Sequence, residues 1–206
     1  MSPRRRTAIL ISGRGSNMTA LIGAARALDF PAEIALVLSN KSSAGGLALA
    51  RQAGVAAAVV DHKIYAGRDE FEGSMQAMLD IHRIDLICLA GFMRILSAPF
   101  VARWQGRILN IHPSLLPSFR GLDTHARAIE AGVKLHGCTV HFVEPELDSG
   151  PIIAQAAVEV RDDDTPETLG ARVLIQEHAL YPAALALVAA GRVETVGART
   201  RVAPAP

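Results

Sequence analysis

The chain has 206 residues, half of them hydrophobic, a formal net charge of +1 and two cysteines. That length and apolar content support one full core and exclude a disordered chain, while the near-neutral balance gives no ground for a nucleic-acid or membrane surface. No apolar run reaches the ~18 residues needed to span a bilayer. The run after Arg4-Arg5-Arg6 is too short for a signal peptide, so the basic cluster reads as a solvated start.

In chain order, strand-like and helix-like segments alternate. Thr7 to Ser12 is a compact apolar run that ends at Gly13, and Asn17 to Leu28 has helical spacing. Glu33 to Asn40 predicts a second strand, Leu47 to Gln52 a helix, Ala57 to Asp61 a short strand and Arg68 to His82 a helix. Asp85 to Ala90 is apolar throughout, as in a parallel strand buried on both faces. Ser97 is placed to cap a helix reaching Trp104, with Pro99 in its first turn. Arg107 to His112 predicts the fifth strand and Thr124 to Ala131 another helix. Cys138 to Val143 and Ile152 to Val160 predict two further strands, joined through Glu144 to Pro151. Asp164 or Thr165 then caps a long helix ending near Gly191, with a break expected near Pro182. The pattern predicts an α/β, Rossmann-like three-layer sandwich with a mainly parallel sheet. Residues 1–191 form its single domain, and 192–206 are expected to be a loose tail.

Two loops follow strands and so should open on one cleft at their carboxyl ends. In Ser12-Gly13-Arg14-Gly15-Ser16-Asn17, glycines let the backbone approach an anion, and a helix N-terminus favours phosphate. The loop matches neither a dinucleotide fingerprint nor a Walker loop, and an ordinary glycine turn capped by Ser16 or Asn17 would look the same. The second loop, Asn110-Ile111-His112-Pro113-Ser114-Leu115-Leu116-Pro117, places a carboxamide and an imidazole at i and i+2, on one side of an extended segment. One donates without titrating and the other titrates near neutrality, which suits a reaction that forms an oxyanion and moves a proton. Asp148 lies in a Gly-Pro turn, where acidic residues also occur for turn reasons alone. Thr139 and His141 on the preceding run could support it. Glu177 is either part of a solvated helix face or a partner for a cationic amine. Cys88 and Cys138 sit in apolar runs without ligand-type spacing to a histidine, which predicts two buried free thiols in a reducing cytoplasm. The histidines lack metal-ligand spacing, and Asp162-Asp163-Asp164 reads as helix capping, so no metal is expected.

The segments Ile11 to Asn17, Leu89-Ala-Gly-Phe-Met-Arg-Ile-Leu96, Asn110 to Pro117, His136-Gly-Cys-Thr-Val-His141 and Leu147-Asp-Ser-Gly-Pro151, in this order, closely resemble the folate-dependent phosphoribosylglycinamide formyltransferases. The resemblance runs from about Thr7 to Gly191. It implies transfer of a formyl group from 10-formyltetrahydrofolate to the amine of glycinamide ribonucleotide, with small-molecule partners, a cytoplasmic location and room for a homodimer. It assigns Asn110, His112 and Asp148 to catalysis. Gly15, Ser16 and Asn17 fall to the substrate phosphate and Glu177 to the amine. Met93, Arg94, Ile95 and Leu96 wall the folate site, together with Asn110. Arg68 lies near the folate tail, and Glu144, Pro145, Glu146, Leu147 and Asp148 meet the pterin. Arg14 departs from the family, which often has Asn there.

Methionyl-tRNA formyltransferases and formyltetrahydrofolate deformylases share the Asn-x-His-Pro core but normally carry an additional domain, for which this chain leaves no room. A noncatalytic nucleotide-binding module would have no use for the Asn110, His112 and Asp148 set.

Overall fold

The computed structural model describes residues 3–204. Its strands are β1 (Arg5–Ile11), β2 (Ala32–Ser39), β3 (Ala57–Val59), β4 (Leu86–Leu89), β5 (Ile108–His112), β6 (Leu135–Phe142), β7 (Ile152–Glu159), β8 (Val193–Val196) and β9 (Arg199–Val202). Its helices are α1 (Ser16–Ala24), α2 (Gly46–Gln52), α3 (Arg68–Ile81), α4 (Ala98–Arg103), α5 (Thr124–Glu130) and α6 (Pro166–Ala189). One sheet runs in the order β3-β2-β1-β4-β5-β6-β7. The first five of these are parallel, and β6 runs antiparallel to both of its neighbours, β5 and β7.

The period-2 alternation of a strand explains the two cores. Ile9 and Ile11 pack with residues of α1, α2, α5 and α6 on one face, while Ala8 and Leu10 pack with residues of α3 and α4 on the other. This is the mainly parallel three-layer arrangement that the alternation of elements predicts. The chain leaves β1 toward one edge and returns across the sheet to β4, so the loops after β1 and β4 diverge at the point where such sheets bind ligands. These loops are tied together: Ser12 N donates to Gly91 O at 3.1 Å, and Met93 N donates to Ser12 Oγ at 2.8 Å.

Three local expectations are corrected, and one alternative is set aside. The helix α6 continues through Pro182. A proline deletes one backbone hydrogen bond, but this one is buried among packed neighbours, and the Tyr181 hydroxyl reaches both Leu89 O and Leu109 O at 3.0 Å. Residues 193–202, expected to be part of a loose tail, form a hairpin: β8 pairs with β9, and Thr200 Oγ1 donates to Ile152 O on the sheet edge. Its turn places Gly197 at φ 61°, where a tight hairpin turn calls for glycine. The N-terminal arginines are not simply solvated, since Arg4 donates to Ala25 O and Ala32 O, and Arg6 reaches Glu33 and His82 O. Finally, neither Ser16 nor Asn17 caps α1. Gly15 does so in the left-handed conformation, without a side-chain cap.

Candidate active site

A cavity of about 680 Å³ opens at the carboxyl ends of β4 and β5. That volume lies within the ordinary range for a small-molecule site. Its walls come from the loop after β4 (Gly91 to Leu96), the strand β5 with Pro113, the turn Gly121 to His125, and the turn Glu144 to Asp148. Asn110, His112 and Asp148 all line it.

β5 places Asn110 and His112 two residues apart on one side, and its register sets their neighbours. Asn110 pairs with His141, and His112 with Thr139. A register shift between Val140 and His141 in the β6–β7 pairing marks a bulge here, a device that re-aims side chains beside sites. His141 Nδ1 donates to Phe142 O at 2.8 Å, which leaves Nε2 as the acceptor for Asn110 Nδ2 at 3.2 Å. Burial lowers the His141 pKa and keeps the ring neutral, consistent with that tautomer. The Asn110 amide is thus oriented, with its second N–H left over. His141 Nε2 also lies 3.8 Å from Asp148 Oδ1, but a neutral ring makes this no ion pair. Its support for the site passes through Asn110 instead.

His112 is 5% exposed. Its Nδ1 lies 3.4 Å from Asp148 Oδ2, and its Nε2 donates to Phe119 O at 3.0 Å. Asp148 Oδ2 also accepts from Gly121 N at 2.9 Å. The Asp148 turn is closely built. Asp148 itself has φ 49°, and a Cβ on Gly150 would lie 1.9 Å from Phe142 O. Behind the Pro113–Pro117 turn, the Thr139 hydroxyl donates to Ser114 O (2.7 Å) and accepts from Leu116 N (3.1 Å) and Gln155 Nε2 (2.9 Å). One hydroxyl with all its hydrogen-bonding capacity used pins the loop that follows His112.

The residues expected at the phosphate and the amine lie on the adjoining flank, outside the cavity lining. The loop after β1 packs tightly on α2. A Cβ on Gly15, at φ 81°, would meet Gly46 Cα at 3.0 Å, and one on Gly46 would meet Ile11 Cδ1 at 2.6 Å. Asn17 Nδ2 donates to Glu177 Oε2 at 2.7 Å, while Asn17 Oδ1 is buried without a partner. Glu177 is 7% exposed. Burial raises its pKa, against the lowering effect of the Asn17 hydrogen bond and the charges of His178 and His112. Met93, Arg94, Ile95, Leu96, Glu144, Pro145 and Leu147 line the cavity. Arg68 and Glu146 do not. Arg68 is exposed at the first residue of α3, and Glu146 pairs with Arg120 at 3.1 Å on the surface. Among the described residues, no group of three or more His, Cys, Asp or Glu is arranged to hold a metal ion, and no helix is long and apolar enough to cross a membrane.

Sequence reasoning missed the groups that hold the trio: Phe119 O, Gly121 N, and the Thr124 hydroxyl that donates to Pro113 O at 2.7 Å. Two of these are backbone groups that any residue could supply. Gly121, at φ 82°, was the one usable signal, a glycine marking a turn.

Residues 5–185 match the formyl transferase family model. The chain is 45% identical over 186 residues to the phosphoribosylglycinamide formyltransferase of Escherichia coli, covering 90% of this chain and 88% of that one. It is 51% identical over 191 residues to the trifunctional purine biosynthetic protein adenosine-3 of Homo sapiens, covering 93% of this chain and 19% of that protein. It therefore spans about a fifth of the length of that trifunctional relative. The crystal structure of glycinamide ribonucleotide transformylase 1 from Symbiobacterium toebii superposes with a TM-score of 0.96 at 44% identity, covering 99% of this chain and 96% of that one.

Proposed function

The chain belongs to the phosphoribosylglycinamide formyltransferase family of formyl transferases, and on that premise we propose that it transfers the formyl group of 10-formyltetrahydrofolate to the amine of 5′-phosphoribosylglycinamide, yielding formylglycinamide ribonucleotide and tetrahydrofolate in purine biosynthesis. The observation that carries this reading is the convergence of Asn110, His112 and Asp148 on one largely apolar cavity. Such a cavity suits a flat, partly aromatic co-substrate with a few polar anchors. Two buried free thiols support a reducing, cytoplasmic setting.

The substrate amine attacks the formyl carbon, and the carbonyl electrons move onto oxygen. The spare Asn110 N–H stabilises that oxyanion. His112 Nε2–H joins it by exchanging the Phe119 carbonyl for the substrate oxygen. As the intermediate collapses, the bond from carbon to the folate nitrogen breaks, the amine nitrogen gives up a proton, and the leaving nitrogen gains one. His112 and Asp148, with Nδ1 and Oδ2 3.4 Å apart, provide the acid and base groups for that exchange. Glu177 holds the attacking amine, Gly15, Ser16 and Asn17 cradle the phosphate, and Met93 to Leu96 with Glu144 to Leu147 enclose the folate.

The test combines the protein with both substrates and follows tetrahydrofolate release. Release should depend on both, and Asn110→Ala, His112→Ala and Asp148→Ala should each lower turnover ~10²–10⁴-fold with unchanged circular dichroism. Release without the amine substrate would point to hydrolysis instead, and near-normal turnover in folded His112→Ala would remove the catalytic assignment.

A further inference from the structure

The wall formed by Met93 to Leu96 belongs to no helix or strand, yet it lines the cavity with Met93 and Ile95, each 63% exposed. A wall without a ladder of its own must be held from behind. At one end, Met93 N donates to Ser12 Oγ, which in turn donates to Asn40 Oδ1 at 2.6 Å. At the other end the anchor is Glu72, one turn into α3. Ser97 N donates to Glu72 Oε1 at 2.7 Å, and the Ser97 hydroxyl donates to Glu72 Oε2. That same hydroxyl accepts from Phe100 N at 3.3 Å, so one serine closes the wall and opens α4.

Glu72 is 6% exposed and makes no ion pair among the described residues. It does not line the cavity. A buried carboxylate without a cation is costly, and a residue needed only for packing would be apolar. Only a carboxylate offers two oxygens to accept an N–H and an O–H from one residue at once; a carboxamide offers one. The chemistry of Glu72 is therefore matched to Ser97 and to nothing else nearby.

We propose that Glu72 is a positioning residue for the folate side of the site, fixing the backbone of Met93 to Ser97 so that the wall is set before the co-substrate arrives. This rests on the reading of that wall as the folate wall. In folded Glu72→Ala the KM for 10-formyltetrahydrofolate should rise ~10-fold, the loss expected for a hydrogen bond to a charged group. The KM for glycinamide ribonucleotide and kcat should stay within about twofold. Amide hydrogen exchange, run without any substrate, should speed up in residues 93–97 while β5 keeps its protection. Glu72→Gln should show a smaller effect in the same direction. If Glu72→Ala does not fold, Ser97→Ala carries the same expectations and Glu72→Gln the smaller change in the same direction. An unchanged folate KM, an equal rise in both KM values, or unaltered exchange at 93–97 would overturn the proposal. A wild-type protein without folate-dependent turnover would instead overturn the functional reading, leaving the exchange result to judge the anchor by itself.

Discussion

Glu177 sits in the fold at a cost. Burial raises its pKa above the ordinary 4.5, so ionising it is harder in the folded chain than in the unfolded one. For a raised carboxyl group the penalty is absent below about pH 4.5 and grows as pH climbs through the folded value. Glu177→Gln removes the charge and keeps an acceptor for Asn17. Its melting temperature at pH 8 should equal or exceed that of the wild type, with the difference closing near pH 4, while the KM for the amine substrate rises ~10-fold. A variant clearly less stable than wild type at pH 8 would show that the carboxylate is structural. At this scale the site was legible where side-chain identity matters. Asn110 and His112 stood out by their i, i+2 spacing, whereas the turn around Asp148 suited an ordinary acidic turn equally well, and the family resemblance alone set it beside them. Phe119 O and Gly121 N could not, because backbone groups leave no mark in the residue string. Glu72 was silent for another reason: one acid inside an amphipathic helix looks like part of a solvated face until burial is known.

Among the elements, the helices and parallel strands were readable because apolar periodicity and caps act locally. Ser97 and Thr165 stand as N-caps. What depended on distant packing was not readable. Pro182 lies inside a continuous helix because neighbours on the sheet hold it, and β8 and β9 pair although their composition suggested a loose end. The β6–β7 connection shows how tightly such packing constrains residue choice. Gly150→Ala would drive a Cβ to 1.9 Å from Phe142 O, so the Asp148 turn must shift or the strand end must open. We expect a stability loss of ~2–4 kcal/mol, visible as a lower urea midpoint. Activity should fall further than stability alone explains, because Asp148 moves with the turn. A Gly150→Ala protein with wild-type urea midpoint and turnover would show the turn to be slack.

Across the whole molecule, the α5–β6 contact should add to the acid sensitivity that the buried His141 also brings. His125 Nδ1 and His136 Nε2 lie 3.1 Å apart. Burial, then the neighbouring His125 charge, pushes the His136 pKa down from 6.5 to about 4, and burial lowers that of His125 too. Both rings are favoured neutral when folded. The unfolded chain takes up these protons below about pH 6.5, so their stabilisation is complete above that value and drains away as pH falls toward 4. Urea titrations between pH 7 and pH 4.5 should show the midpoint dropping, and His136→Asn should flatten that dependence. An equal slope in the variant would place the sensitivity elsewhere.

Both cysteines are buried, and burial pushes the Cys88 and Cys138 thiols up to about 12. Thiols held so far from ionisation are poor nucleophiles near neutral pH. Leu122, 74% exposed at the cavity mouth, could therefore be replaced by cysteine and tagged with a maleimide dye without first stripping the native sulfhydryls. The fold comes ready for a single-label optical titration of its own ligands.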